Sequence, residues 1–241
     1  MRKPVFLILV LVSGAAAGLV HGGATLLLVE PYLDYAIEIE NQQLFVSGAA
    51  QDTAEFRSQF DEYRLWQKSG MVLGGVLLGM STAALFGIVY SLSIRALPGR
   101  NGTARSLVLA GMMFAVLYIP TFLKYPPVPP AEGSPETLAV RTALHLSLMA
   151  ILGLGAVGFH RVYRRIPHRR ILVLAGYVGF AVAVTALMPA SPDEPSAMPG
   201  VWEFRAMSAL SAVVFWASLG IILGLLWDRY ASAARLHAPS R

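Results

Sequence analysis

Six long apolar stretches run through this chain, at about 4–28, 70–93, 105–123, 141–160, 170–188 and 204–227. Nothing constrains its fold more. A helix needs ~20 apolar residues to cross the hydrocarbon core of a bilayer, and these stretches are of that order. As soluble core helices they would need a polar coat, and little is left to supply one. Hydrophobic residues make up 56% of the 241 and charged residues 14%, whereas a soluble domain carries about 25% charged. The expected fold is an all-α integral membrane protein. It is a six-transmembrane-helix bundle, one polytopic domain over 1–241, with a partly helical outer loop between helices 1 and 2.

The charges between the stretches are sorted by sign. Lys and Arg in short loops stay cytoplasmic. Arg2 and Lys3 precede the first span, and Arg95, Arg100 and Arg105 separate the second from the third. Arg161, Arg164, Arg165, Arg169 and Arg170 separate the fourth from the fifth; Arg229, Arg235 and Arg241 follow the sixth. With six spans all of these fall on one side, and both termini are cytoplasmic. Every acid except Asp228 then lies outside. The expected location is the inner membrane. The net charge of +5 reflects anchors at an anionic leaflet and not nucleic-acid binding. With no Cys, disulfides, thiolate metal sites and thiol nucleophiles are excluded. Arg2-Lys3, an apolar run and Ala15-Ala16-Ala17 also resemble a signal peptide, but the run continues to Val29, which suits a span.

Three outer loops follow, at 30–69, 124–140 and 189–203. In the first, Leu33 to Ile39 is amphipathic. Asp52 with Glu55 resembles a capping box with Asp in the Ser/Thr place. Phe56, Phe60 and Tyr63 share one helical face. Two interfacial helices are expected, the second running into span two. In the second loop Lys124-Tyr125 leads into Pro126, Pro127, Pro129 and Pro130. Such a run is stiff polyproline II, expected to act as a rigid cover over the outer mouth, with Lys124 and Arg141 pairing with outer acids. In the third, prolines lead to Trp202-Glu203-Phe204-Arg205. Lys124 and Arg205 are expected to snorkel or to pair with Glu132 and Glu203. Gly14, Gly18 and Gly22, then Gly70, Gly74, Gly75 and Gly79, allow close helix contact in lipid.

Few residues can carry chemistry. At 100° per residue His21 lies within about 20° of Gly14 and Thr25, so it is expected to face another helix. An ionisable group at that depth is a functional candidate; the alternative is a His satisfied by a neighbouring hydroxyl or carbonyl. Glu30, Asp34 and Glu38 form one stripe if helix resumes at Pro31. Carboxylates one turn apart can share a divalent cation or simply face water. His145, one turn after Arg141, is the next candidate. His160, His168 and His237 read as surface. The expected metal ligands are therefore His21, Glu30, Asp34, Glu38 and His145. No nucleotide-binding loop, zinc-hydrolase motif or serine-hydrolase elbow is present, and no catalytic residue is expected.

These features resemble the CbtA family of probable cobalt transporter subunits. The likeness is carried by His21-Gly22, Glu30-Pro31, Lys124-Tyr125-Pro126-Pro127-Val128-Pro129-Pro130, Pro135-Glu136-Thr137, Arg141-Thr142 and the Pro-rich approach to Trp202-Glu203-Phe204-Arg205. It spans nearly the whole chain. The resemblance implies five or six spans, a small His-bearing partner (CbtB) and cobalt supply linked to cobalamin. Cobalt itself is not read from spacing: imidazole and carboxylate without thiolate suit Co²⁺, Ni²⁺ or Zn²⁺ alike. No bound cofactor is expected; the cation is substrate. The alternatives are a non-transporting assembly or scaffold subunit, and a membrane enzyme acting on lipid or isoprenoid.

Overall fold

The computed structural model describes residues 3–129, 134–193 and 199–236. Among them there is helix and no strand. The helices are α1 (Lys3–Leu28), α2 (Glu30–Val46), α3 (Ala54–Ser93), α4 (Gly102–Met113), α5 (Ile119–Lys124), α6 (Leu138–Arg165), α7 (Arg170–Leu187) and α8 (Val201–Leu236). A π-helical turn, Phe114–Tyr118, joins α4 to α5. Six segments are long and apolar enough to cross a membrane: Pro4–Leu28, Ala54–Ser93, Gly102–Lys124, Leu138–Arg165, Pro167–Leu187 and Val201–Ser232. These are the six apolar stretches, extended at most ends. Arg2, His237 and Arg241 lie outside the described residues.

The helical outer loop is present and differs in detail. Pro31 opens α2 as expected. The second interfacial helix is continuous with span two, making α3 40 residues long. At 1.5 Å per residue that is ~60 Å, twice the ~30 Å hydrocarbon core, so about half of α3 must stand outside it. The cap is Thr53 and not Asp52: its Oγ1 accepts from the Phe56 amide at 3.1 Å, the third helical position. Asp52 instead accepts from Arg57 Nε and Nη2, at 2.5 and 2.7 Å. A hydroxyl one residue nearer the helix suits the cap, which frees the carboxylate for the guanidinium.

The chain divides into two compact units: Met1–Met112 with Ala206–Arg241, and Met113–Arg205. In the first, α1 packs on α3 through glycine. A Cβ on Gly18 would overlap the Gly75 carbonyl oxygen and lie 2.8 Å from Val76 Cα; one on Gly79 would overlap the Gly14 carbonyl oxygen and lie 2.8 Å from Gly18 Cα. Without a hydrophobic drive between helices in lipid, such close backbone approach supplies the packing energy. The pairing uses Gly14, Gly18, Gly22, Gly75 and Gly79; Gly70 and Gly74 face open space. In the same unit α8 meets α4, with Gly224 against Thr103 and Gly220 against Leu107 and Ala110.

Asp228, the lone acid on the basic side, has a structural task. Its carboxylate accepts from the Gly102 and Thr103 amides at 2.7 and 3.0 Å, and from the Thr103 hydroxyl at 2.9 Å. It therefore satisfies the orphan N–H groups that begin α4, where a negative charge also suits the helix dipole. Trp227 beside it packs edge-on against Phe6 and Tyr90. We expect Asp228→Ala to cost about 1–2 kcal/mol, as loss of a helix cap does. It should lower the melting temperature of the purified protein, and Asp228→Asn should lower it less. An unchanged melt for the alanine variant would refute the capping role.

In the second unit α6 and α7 form a hairpin with one residue, Ile166, between the Leu138–Arg165 helix and the short turn at Pro167–Arg169. Phe159, Tyr177 and Phe180 cluster between the two helices. Tyr177 donates from its hydroxyl to the Leu152 carbonyl at 3.3 Å. No residue of α7 is buried, which fits an apolar helix bathed in lipid. The π turn is a feature that hydropathy does not reveal. Pro120 lacks an N–H and its ring clashes one turn back, which opens the ladder. The Ile119 amide accordingly reaches Phe114 five residues back. The Thr121 hydroxyl donates to the Leu117 carbonyl at 2.6 Å.

Candidate functional site

His21 faces another helix, as its angular position predicts, but that helix is α8. The glycines of α1 turn to α3. The His21 Nδ1 lies 3.1 Å from the Ser211 carbonyl oxygen and 3.0 Å from the Ser211 hydroxyl. The Thr25 hydroxyl is 2.8 Å from the same Ser211 hydroxyl, and the Phe215 ring meets the imidazole edge-on at 5.5 Å. Ser211 is fully buried and His21 half-buried. A carbonyl oxygen can only accept, so the proton is assigned to Nδ1. That leaves the lone pair on Nε2, which has no hydrogen-bond partner among the described residues. The tautomer is the one a metal-binding histidine adopts when its other nitrogen donates to a backbone carbonyl.

About nine residues further along, the acid stripe emerges on α2, and it is not free. Glu30 is 5% exposed and pairs with Arg64 of α3. Arg64 Nη2 also donates to Asp34 Oδ1 at 2.8 Å, and Lys68 Nζ to Asp34 Oδ2 at 2.9 Å. Lys68 approaches Glu30 to 3.7 Å. Burial alone would raise the Asp34 carboxyl; the hydrogen bonds and charges of Arg64 and Lys68 outweigh it and hold it below its ordinary value. Glu38 makes no ion pair among the described residues: it accepts from Gln42 at 3.1 Å. With Asp61 of α3 it borders a cleft of about 440 Å³ that Asp34, Arg64 and Lys68 also line. Sequence reasoning missed Arg64, Lys68 and Asp61. The signal was there: Arg64 and Lys68 repeat at the same four-residue step as Glu30 and Asp34, as two facing helices require.

Ser211 was missed as well, and nothing local marks it; a serine in a span is common. Among the described residues no three His, Asp or Glu side chains are grouped to hold a metal ion. His21 meets the neutral oxygens of Ser211, whose hydroxyl in turn meets that of Thr25.

The remaining candidates belong to the second unit. His145 is half-buried on α6 and has no hydrogen-bond partner among the described residues. The Pro-rich segment is tied down by its flanks. Tyr125 donates from its hydroxyl to the Pro189 carbonyl at 2.8 Å, and Pro129 is fully buried. Arg205 Nε donates to the Pro127 carbonyl at 3.4 Å, and its guanidinium sits 5.1 Å over the Trp202 ring. Arg205 therefore engages Pro127 and Trp202, not Glu203. Arg141 does pair with an acid, Asp193, at 2.9 Å. The contact is ionic, because the N–H is not aimed at that oxygen. Thr137 donates to the other Asp193 oxygen at 2.6 Å. Lys124 is half-buried without an ion-pair partner among the described residues; Pro130 and Glu132 lie outside those residues.

Six apolar helices, and an imidazole held against the face of a neighbouring span, define a polytopic α-helical membrane protein with polar groups placed inside its helix contacts. Residues 4–228 match a family described as "Probable cobalt transporter subunit (CbtA)". The chain belongs to this family, and it is a membrane transporter subunit. No curated protein and no solved structure matches it.

Proposed function

We propose that the transported substrate is a divalent transition metal, cobalt before nickel or zinc, and that its path runs through the first unit. Carriage rests on the His21 geometry: Nδ1 is tied to the Ser211 carbonyl at 3.1 Å, which orients a free Nε2 lone pair at membrane depth. Glu38 and Asp61, the cleft acids that make no ion pair among the described residues, meet the ion first. Glu30 and Asp34 become ligands only if Arg64 and Lys68 are displaced, so these cations set the threshold for loading. His21 then receives the partly dehydrated ion, with the Thr25 and Ser211 oxygens beside it. Should His21 prove not to be a ligand, His145 of the second unit is the next candidate. The family's word "subunit" implies a further component; a small His-bearing membrane partner such as CbtB is our candidate, and cobalamin supply the purpose. The site is in the inner membrane, with both termini cytoplasmic.

Uptake of labelled cobalt by cells carrying this chain with and without that partner tests the reading. Cobalt accumulation that requires this chain supports it; accumulation unchanged by its deletion removes it. The topology has its own test. Reporter fusions at Asn101 and His168 should read cytoplasmic and one at Gln51 external. An external signal at His168 would break it. Replacing Pro126, Pro127 and Pro129 with Ala should lower uptake severalfold while the protein remains in the membrane, since the unfolded and mobile states gain entropy when proline is removed. Equal loss of uptake and of protein would mean that the segment serves folding alone.

A further inference from the structure

The turn between α6 and α7 concentrates positive charge that no acid among the described residues answers. Arg161, Arg164, Arg165, Arg169 and Arg170 lie within ten residues, with His168 among them and His160 just before. All seven side chains are exposed. No Asp or Glu occurs between Glu136 and Asp193. Among the described residues none of the five arginines makes an ion pair, while Arg57, Arg64, Lys68 and Arg141 all do. An orientation signal needs only positive charge in the loop; it does not need a fixed arrangement.

Here the backbone that carries the charges follows one defined path. Ile166 leaves the helix at φ −124°, ψ 73°, and Pro167 starts a short 3₁₀ turn that leads straight into α7. The elbow therefore joins two apolar helices with no slack. Phe159 lies against Tyr177 and Phe180, and Gly155 and Gly176 let these rings fit between the helices. Arg170 is placed over the Tyr163 ring, 5.0 Å from its centre. The arginines thus stand where two spans end, which is the depth of lipid headgroups. α7 has no buried residue, so acyl chains have an apolar surface to follow away from the elbow.

We propose that this elbow is a binding site for an anionic phospholipid, whose phosphate is held by guanidinium groups of Arg164, Arg165 and Arg169 while its chains lie along α7. Guanidinium offers phosphate a planar fork of donors that ammonium lacks. A lipid in this position locks the α6–α7 hairpin to one leaflet. The site is separate from the metal path, and its failure would leave that path untouched.

The test uses the purified full chain in phosphatidylcholine nanodiscs, titrated with fluorescent phosphatidylglycerol. Wild-type protein should bind it saturably. Arg164→Gln/Arg165→Gln/Arg169→Gln should weaken binding on the order of a hundredfold, at about 1 kcal/mol per cation. The matching Lys substitutions keep the charge and should still weaken binding severalfold. Arg100→Gln, outside the elbow, should change nothing. Unsaturable binding, an Arg100 effect as large as the elbow's, or full affinity in the Lys protein would each overturn the proposal. So would inorganic phosphate competing as well as the lipid, because the occupant would then be a free anion.

Discussion

Gly18→Leu should all but abolish the folded protein. The first atom added, Cβ, would overlap the Gly75 carbonyl oxygen and lie 2.8 Å from Val76 Cα. Both are backbone atoms in a helix, so neither can rotate away. α1 must separate from α3 or the substitution is not accommodated. Overpacking a core with side chains that can shift costs about 1–3 kcal/mol, and a backbone clash at a helix contact must exceed that. The yield of monodisperse protein extracted from membranes should drop at least about tenfold, which ~1.4 kcal/mol already accounts for. Gly23→Ala, one face away, meets nothing within 4 Å and should extract like wild type. Normal extraction of the Gly18→Leu protein would mean that the α1–α3 contact does not hold this unit together.

Loss of the His21 ring should remove transport and spare the fold. His21→Ala takes away an imidazole whose Nδ1 hydrogen bond ends on Ser211. The Thr25–Ser211 hydroxyl contact at 2.8 Å remains to satisfy the buried serine. The Ser211 carbonyl keeps its place in the α8 ladder. The protein should therefore reach the membrane at its usual level. Cobalt uptake should fall at least about tenfold, since a desolvated cation loses its only nitrogen ligand on this helix. Normal uptake rate and affinity would eliminate the path drawn here, though not transport itself, with His145 next in line.

Parts of this architecture were legible one helix at a time. The α2 stripe was one such part: Pro31 opens the helix and the four-residue step puts Glu30, Asp34 and Glu38 on one side. What those carboxylates do was not legible in the stripe. Two of the three are held by Arg64 and Lys68 from a helix that begins 24 residues after Glu30. The missing step was to read a basic stripe of the same period as its complement. The π turn is a second case. Pro120 was a signal the sequence reading passed over, and whether the chain kinks or widens there depends in any case on what packs around it.

The sequence by itself determined the helical class, the six spans and part of the glycine contact, at Gly14, Gly18, Gly22, Gly75 and Gly79. These follow from hydropathy and side-chain size, which each segment carries alone. Only the tertiary structure decided which helix each face meets. It turned His21 to Ser211, 190 positions away, and made Asp228 the cap of a helix that begins 126 residues earlier. The reason is physical. In lipid the apolar surfaces of helices are interchangeable, so partners are selected by close backbone fit and a few polar contacts. Those contacts are properties of pairs of segments, and no single stretch of sequence contains them.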